Sequence, residues 1–183
     1  AGRYYANILL PYSQLVTKLL GKVSAMNLGI DIIAPDHGPA WFAGTESGPG
    51  FITGLYARWA AQEPTLRAVV AYDTMWGSTE IMARAIAEGL REGGADPVVH
   101  PLHGSHRSDV AADLLEAGAL LLGTPTLNAS MFPTVADLVM YLEGLRRMSL
   151  VGAAFGSHGW GGEGVRRLSA AMTEMQVELL HPG

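Results

Sequence analysis

The 183-residue chain contains no cysteine, which excludes disulfide bridges, zinc ribbons and cysteine-ligated iron centres from this segment. It has no run of apolar residues long enough to span a bilayer, and its start, Ala1-Gly2-Arg3-Tyr4-Tyr5, lacks the apolar stretch of a signal peptide. A soluble, cytoplasmic protein with no membrane association is therefore expected. Positive charge is scarce as well. Twelve Lys and Arg against seventeen Asp and Glu give a net charge of −5, which disfavours a nucleic-acid partner. Residues 1–66 hold four basic and four acidic residues and residues 67–183 eight and thirteen, so the whole net charge falls in the second part. There it serves solubility or the electrostatic steering of a partner. What the chain does have is 49% hydrophobic residues, enough to fill the core of one domain and part of another.

The most informative stretch is Tyr72-Asp73-Thr74-Met75-Trp76-Gly77-Ser78-Thr79. Before it, Leu66 to Tyr72 reads as a buried strand. After it, Ile81 and Ala85, and Met82, Ile86 and Leu90, form adjoining stripes at helical spacing, with Gly93-Gly94 as a stop. A loop between strand and helix aims backbone N–H groups and the positive end of a helix dipole at one point, and Thr74, Ser78 and Thr79 add hydroxyl donors. The loop has no lysine or arginine, which suits a monophosphate better than the lysine-assisted triphosphate of a Walker loop. Taken alone, the stretch is equally the capped helix start of any α/β protein.

Two later segments repeat the arrangement. Ala119 to Gly123 runs into Thr124-Pro125-Thr126-Leu127-Asn128, and Val151 to Phe155 runs into Gly156-Ser157-His158-Gly159-Trp160-Gly161-Gly162. Strands alternate with helices throughout: strand 68–72, helix 79–92, strand 97–100, helix 108–116, strand 119–123, helix 134–145, strand 151–155, helix 164–175 and a last strand near 177–180. Such alternation predicts a doubly wound parallel five-stranded sheet of order 2-1-3-4-5, with the loops after strands one, three and four converging at its carboxyl edge. A flat ring between Trp76 and Trp160 would fit there. Phosphate, planar ring and the expectation that no dinucleotide-binding Gly-x-Gly-x-x-Gly is at work point to FMN.

The segments Tyr72 to Thr79, Gly123 to Asn128 and Phe155 to Gly162 resemble the three FMN loops of the flavodoxin-like domain of flavodiiron proteins. Upstream, Tyr5-Ala6-Asn7-Ile8, Ile33 to Trp41 and Leu55 to Trp59 resemble the end of that family's metallo-β-lactamase-like αββα diiron domain and its junction. The resemblance implies residues 1–64 as the C-terminal portion of the diiron domain with a connecting helix, and residues 65–183 as a C-terminally truncated flavodoxin-like domain. The boundary is placed at Gln62-Glu63-Pro64-Thr65, where Pro64 biases Glu63 away from helix. For the cofactor, the resemblance implies FMN contacts from Thr74, Met75, Trp76, Gly77, Ser78 and Thr79, from Pro125, Thr126, Leu127 and Asn128, and from Ser157, His158, Gly159, Trp160, Gly161 and Gly162.

Other residues carry two readings each. His37, in Asp36-His37-Gly38-Pro39, is by itself a turn residue; the resemblance makes it the last histidine ligand of a non-haem diiron site whose other ligands lie upstream, so the site is incomplete in this chain. His100, His103 and His106 fall at three-residue intervals, but Pro101 and Gly104 break any helix that would align them, and a solvated loop is expected. His158 either meets the polar edge of the flavin or faces solvent. Met131-Phe132-Pro133 shields the ring or begins the next helix, while Trp41, Trp59, Met140, Tyr141 and Leu145 are expected to pack. For the intact protein the resemblance implies a head-to-tail homodimer that takes electrons from rubredoxin or a similar donor and reduces O2 to water or NO to N2O. The rival readings are a flavodoxin-type electron carrier and an NAD(P)H:quinone reductase on the same fold.

Overall fold

A computed structural model describes residues 1–180. The chain opens as a nearly continuous helical run: α1 (Gly2–Tyr4), a π-helical turn (Tyr5–Leu9) and a 3-10 turn (Leu10–Tyr12) lead into α2 (Ser13–Ala25). Asn27, at φ 47°, helps end it. Two short antiparallel strands follow, β1 (Ile32–Ile33) and β2 (Trp41–Phe42), then α3 (Pro49–Ala61). Pro49 sits in the first turn of α3, where a missing N–H costs nothing, and Gln62 closes the helix in the left-handed region at φ 53°.

The remainder alternates as expected: β3 (Arg67–Tyr72), α4 (Ser78–Glu92), β4 (Asp96–Pro101), α5 (Arg107–Leu114), β5 (Ala119–Leu127), β6 (Ser130–Met131), α6 (Pro133–Leu145), β7 (Val151–Ser157), α7 (Glu163–Glu174) and β8 (Glu178–Leu179). The parallel sheet has the order β4-β3-β5-β7-β8, which is the anticipated 2-1-3-4-5. Val69 pairs with Leu120 and Val98, and Leu120 with Gly152. These strands are apolar on both faces because helices cover both. Val69, Ala71, Leu120 and Leu122 face α5, α6 and α7 through Val110, Leu114, Leu138, Leu142, Leu168 and Met172. On the opposite face Val70, Tyr72, Leu121 and Phe155 meet Ala83 of α4. Gly123 lets the strands close there, since a Cβ on it would lie 2.5 Å from the Phe155 ring.

Two expectations are corrected. The buried stripe of α4 is Thr79, Ala83 and Ala87, with Ile86 and Leu90 half-buried; Ile81 and Ala85 face solvent. Small residues are needed on the buried stripe because α4 packs closely on the strands, so bulk marks the wrong face. The histidine segment is not one solvated loop. His100 lies in β4, is buried, and bonds Asp113 Oδ2 through Nε2 at 2.9 Å; His106 Nδ1 accepts from the Ser108 amide and caps α5; His103 is exposed.

The upstream segment is tied to the sheet domain. Tyr5, Ala6 and Leu10 lie in the same core cluster as Leu114 and Leu138. Tyr5 packs edge-on against Tyr56, and Trp59 donates its indole N–H to Glu116 at 2.9 Å. Trp41 lies near Phe51, Leu145 is buried and Tyr141 half-buried, whereas Met140 is exposed.

Candidate functional site

β3, β5 and β7 end side by side, and their loops enclose a cleft of about 730 Å³, within the range of small-molecule sites. The first loop is held by its own side chains. Thr74 N–H donates to Asp73 Oδ1 at 2.7 Å, and the Gly77 N–H donates to Thr74 Oγ1 at 3.0 Å. Gly77, at φ 83°, turns the chain into α4, a conformation that glycine adopts without strain. No side chain caps this helix start. Its first backbone bond is Ile81 N–H to Gly77 O, so the amides of Ser78, Thr79 and Glu80 have no carbonyl one turn earlier. An uncapped helix start facing a cleft suits an anion.

The second loop is a hairpin rather than a loose turn. β5 continues to Leu127 and returns through Asn128 and Ala129 into β6, with Leu127 paired to Ser130. Both turn residues have positive φ, 49° and 54°. Pro and Gly in the sequence hide this extension of the strand, because turn chemistry there competes with sheet pairing. The third loop follows β7, which likewise runs two residues further than anticipated, to Ser157.

Cross-bonds join the three. Thr79 and Ser157 share a hydroxyl hydrogen bond at 3.1 Å, and Gly164 N–H donates to Thr126 Oγ1 at 3.2 Å. Trp76 and Trp160, 90% and 100% exposed, stand on the rim without a packing partner that covers them. Two bare tryptophans beside one cleft offer stacking faces to a planar ring.

Of the anticipated residues, Met75, Trp76, Ser78, Pro125, Thr126, Leu127, Asn128, Ser157, His158, Gly159, Trp160 and Gly161 line the cleft. Thr74, Gly77, Thr79 and Gly162 do not. Thr74 and Gly77 shape the first loop, the Thr79 side chain is buried against Ser157, and Gly162 precedes α7 beside the His158 ring. Ala129 and Glu163 line the cleft and were not anticipated. Ala129 completes a two-residue turn that alternation alone does not reveal, and Glu163 was masked by the expectation that the third loop acts through glycine and tryptophan. The absence of a dinucleotide fingerprint also needs correction: Gly159, Gly161 and Gly164 have Gly-x-Gly-x-x-Gly spacing between β7 and α7. The Glu163 carboxylate lies against Gly161, in the space a side chain there would take, and an acid at that helix start opposes a pyrophosphate.

His37 is exposed in the bend after β1, its ring stacked on Tyr4 at 4.6 Å between centroids. Among the described residues no three His, Asp or Glu side chains are grouped to hold a metal ion. Among them, too, no helix is long and apolar enough to cross a membrane.

Comparison with known proteins agrees with this geometry. The flavodoxin family model matches residues 70–183. The chain belongs to the flavodoxin family. The likeness to flavodiiron proteins extends over the remainder as well. A nitric oxide reductase of Moorella thermoacetica is 45% identical over 184 residues, covering 100% of this chain and 45% of that protein. Among solved structures, rubredoxin oxygen:oxidoreductase from Desulfovibrio gigas superposes with a TM-score of 0.93 at 35% identity, over 99% of this chain and 45% of its own. The flavodiiron protein of Giardia intestinalis follows at TM-score 0.91 and 29% identity, over 99% and 44%. This flavodoxin-family chain thus spans less than half the length of these relatives. The same superpositions cover the segment ahead of the flavodoxin-like sheet, and the N-terminal part of these flavodiiron neighbours is the metallo-β-lactamase-like domain.

Proposed function

We propose that this chain is the FMN-binding, electron-transferring portion of a flavodiiron oxidoreductase. The observation that carries the reading is the cleft at three parallel strand ends, with an uncapped, lysine-free helix start at one side and two bare tryptophans on the rim. FMN supplies the redox chemistry when bound. The amides and hydroxyl at Ser78 and Thr79 would receive its phosphate, and the third loop and the β5–β6 hairpin would bracket the ring. Trp76 and Trp160 would cover the ring and limit water, and His158, exposed in the cleft, is placed for its polar edge.

Residues 1–64 would be the C-terminal portion of the diiron domain and residues 65–183 the flavodoxin-like domain. His37 would be one iron ligand, completed by residues outside this chain. The likeness across the whole chain to a nitric oxide reductase and to rubredoxin oxygen:oxidoreductase supports this assignment for the longer protein. That protein would act in the cytoplasm as a head-to-tail homodimer, accept electrons from rubredoxin or a similar carrier, and reduce O2 or NO. The stand-alone carrier and quinone-reductase readings leave the upstream likeness unexplained. Flavin and iron content per subunit of the intact gene product tests the reading: one FMN with two irons is expected, and FMN without iron would reduce the protein to an electron carrier.

A further inference from the structure

We propose that Asp73 is the positioning residue of the phosphate loop, its buried carboxylate anchoring Thr74 so that the amides from Ser78 onward converge on the FMN phosphate. The inference rests on the FMN reading and assigns a role to a residue outside the cleft. Asp73 is only 3% exposed and does not line the cavity. A carboxylate at the root of a loop that binds an anion with no lysine or arginine is electrostatically unfavourable for that anion, so its presence requires a compensating task. The task is visible in its partners. Oδ1 accepts the Thr74 N–H at 2.7 Å, and Oδ2 accepts the hydroxyl of Thr134 in the first turn of α6. Thr74 in turn accepts the Gly77 N–H through Oγ1 at 3.0 Å, so a single relay runs from α6 through Asp73 and Thr74 to the residue that starts α4.

The surroundings fit an anchor rather than a proton-exchanging group. Asp73 N–H itself donates to Gly123 O at 3.2 Å, which ties the Asp73 backbone to the neighbouring strand. His103, from the β4–α5 connection, approaches Oδ1 only to 4.0 Å and is largely exposed. Both carboxylate oxygens are therefore committed to holding donors from two different elements, and the loop amides that are not consumed in the relay are left for the ligand. The relay also brackets Met75 and Trp76, so its loss should weaken riboflavin, which shares the ring and lacks the phosphate, to some degree, and FMN further by the share that the phosphate contributes.

The test is the ratio of riboflavin to FMN dissociation constants, measured by flavin fluorescence on the flavin-free protein. Wild type should prefer FMN by at least about tenfold, since charge-assisted bonds to a phosphate contribute at that level. Asp73→Ala should reduce the preference about tenfold, FMN losing more affinity than riboflavin by that factor. Asp73→Asn keeps an acceptor for Thr74 and an amide for Thr134, whose hydroxyl accepts as readily as it donates, and should keep the preference within about threefold. Should Asp73→Ala fold poorly, Thr134→Val removes only the far anchor and should still lower the preference measurably. Equal weakening of both ligands in Asp73→Ala, or an unchanged ratio in a folded Asp73→Ala or Thr134→Val protein, overturns the role of Asp73 while leaving the FMN site standing. A wild-type protein that binds neither flavin overturns the site reading itself.

Discussion

Replacing Trp160 by alanine separates binding from folding unusually well. The side chain is 100% exposed and flanked by Gly159 and Gly161, so its removal takes nothing out of the core. Surface truncations of this kind change stability by no more than about 0.5 kcal/mol. A ring stacked on an aromatic side chain, in contrast, is held by about 1–3 kcal/mol. At 1.4 kcal/mol per factor of ten, that predicts roughly 5- to 150-fold weaker flavin binding. Because stacking acts on the ring that FMN and riboflavin share, both should weaken by the same factor, whereas loss of the Asp73 anchor should weaken FMN more than riboflavin. Titration of the flavin-free protein followed by fluorescence quenching, with urea unfolding in parallel, reads both quantities. Flavin affinity within twofold of wild type would refute the stacking role, and so would a stability loss above about 1 kcal/mol, which would mean that Trp160 packs on protein.

Other predictions concern the frame of the site. Arg147, buried, donates to the carbonyls of Leu114 at 3.2 Å, Gln62 at 3.0 Å and Ala117 at 2.6 Å; burial pushes its pKa down to about 10, so it stays charged at neutral pH. Arg147→Met should cost about 3 kcal/mol in urea unfolding, because relief of charge burial only partly offsets the loss of the guanidinium donors to these carbonyls; a neutral effect would refute the clamp. Ala129 occupies a left-handed position at φ 54°, so Ala129→Gly should raise stability by about 0.5 kcal/mol, and any loss would mean that the turn gains from the methyl group. Burial raises the Tyr5 hydroxyl pKa above its ordinary 10.0. Above that pH the unfolded chain gives up its proton before the folded one, so stability should fall as pH rises through this range. Tyr5→Phe should flatten the decline, leaving the shares of Tyr56 and Tyr72, whose values burial also raises; an unchanged alkaline slope would count against this assignment.

The sheet order and the three converging strand ends were legible because β-branched and leucine runs alternate with helical spacing, a pattern that depends on local chemistry. The finer site was not. The extension of β5 through Pro125 to Leu127 is decided by pairing with β7 and β6, residues distant in sequence. The small-residue stripe of α4 is invisible to any search for bulk, because close helix packing removes the signal. His100 was grouped with its neighbours by spacing, yet its partner Asp113 lies a helix away, and only the fold brings them together. Asp73 escaped notice for a related reason: its hydrogen bonds reach Thr74, adjacent in sequence, and Thr134, which only the packing of α6 places beside it.

The composition change at Pro64 marks where strand patterning begins, but packing crosses it. Tyr5, Ala6 and Leu10 enter the sheet domain's core, Asn7 is held by the Tyr141 hydroxyl at 2.6 Å and bonds Ser108 O, and Arg147 ties the end of α3 to the turn after α5. Such a junction has no flexible linker, so the cleft is fixed relative to the upstream segment that carries His37. Under the proposed function this rigidity has a use. In the proposed head-to-tail homodimer the flavin of one subunit would meet the iron site of the other, and a fixed mount in each subunit lets the pairing set their separation by geometry. A hinge would leave it to chance encounter, and the buried arginine, held by backbone carbonyls on both sides of the junction, is what a hinge would have to break.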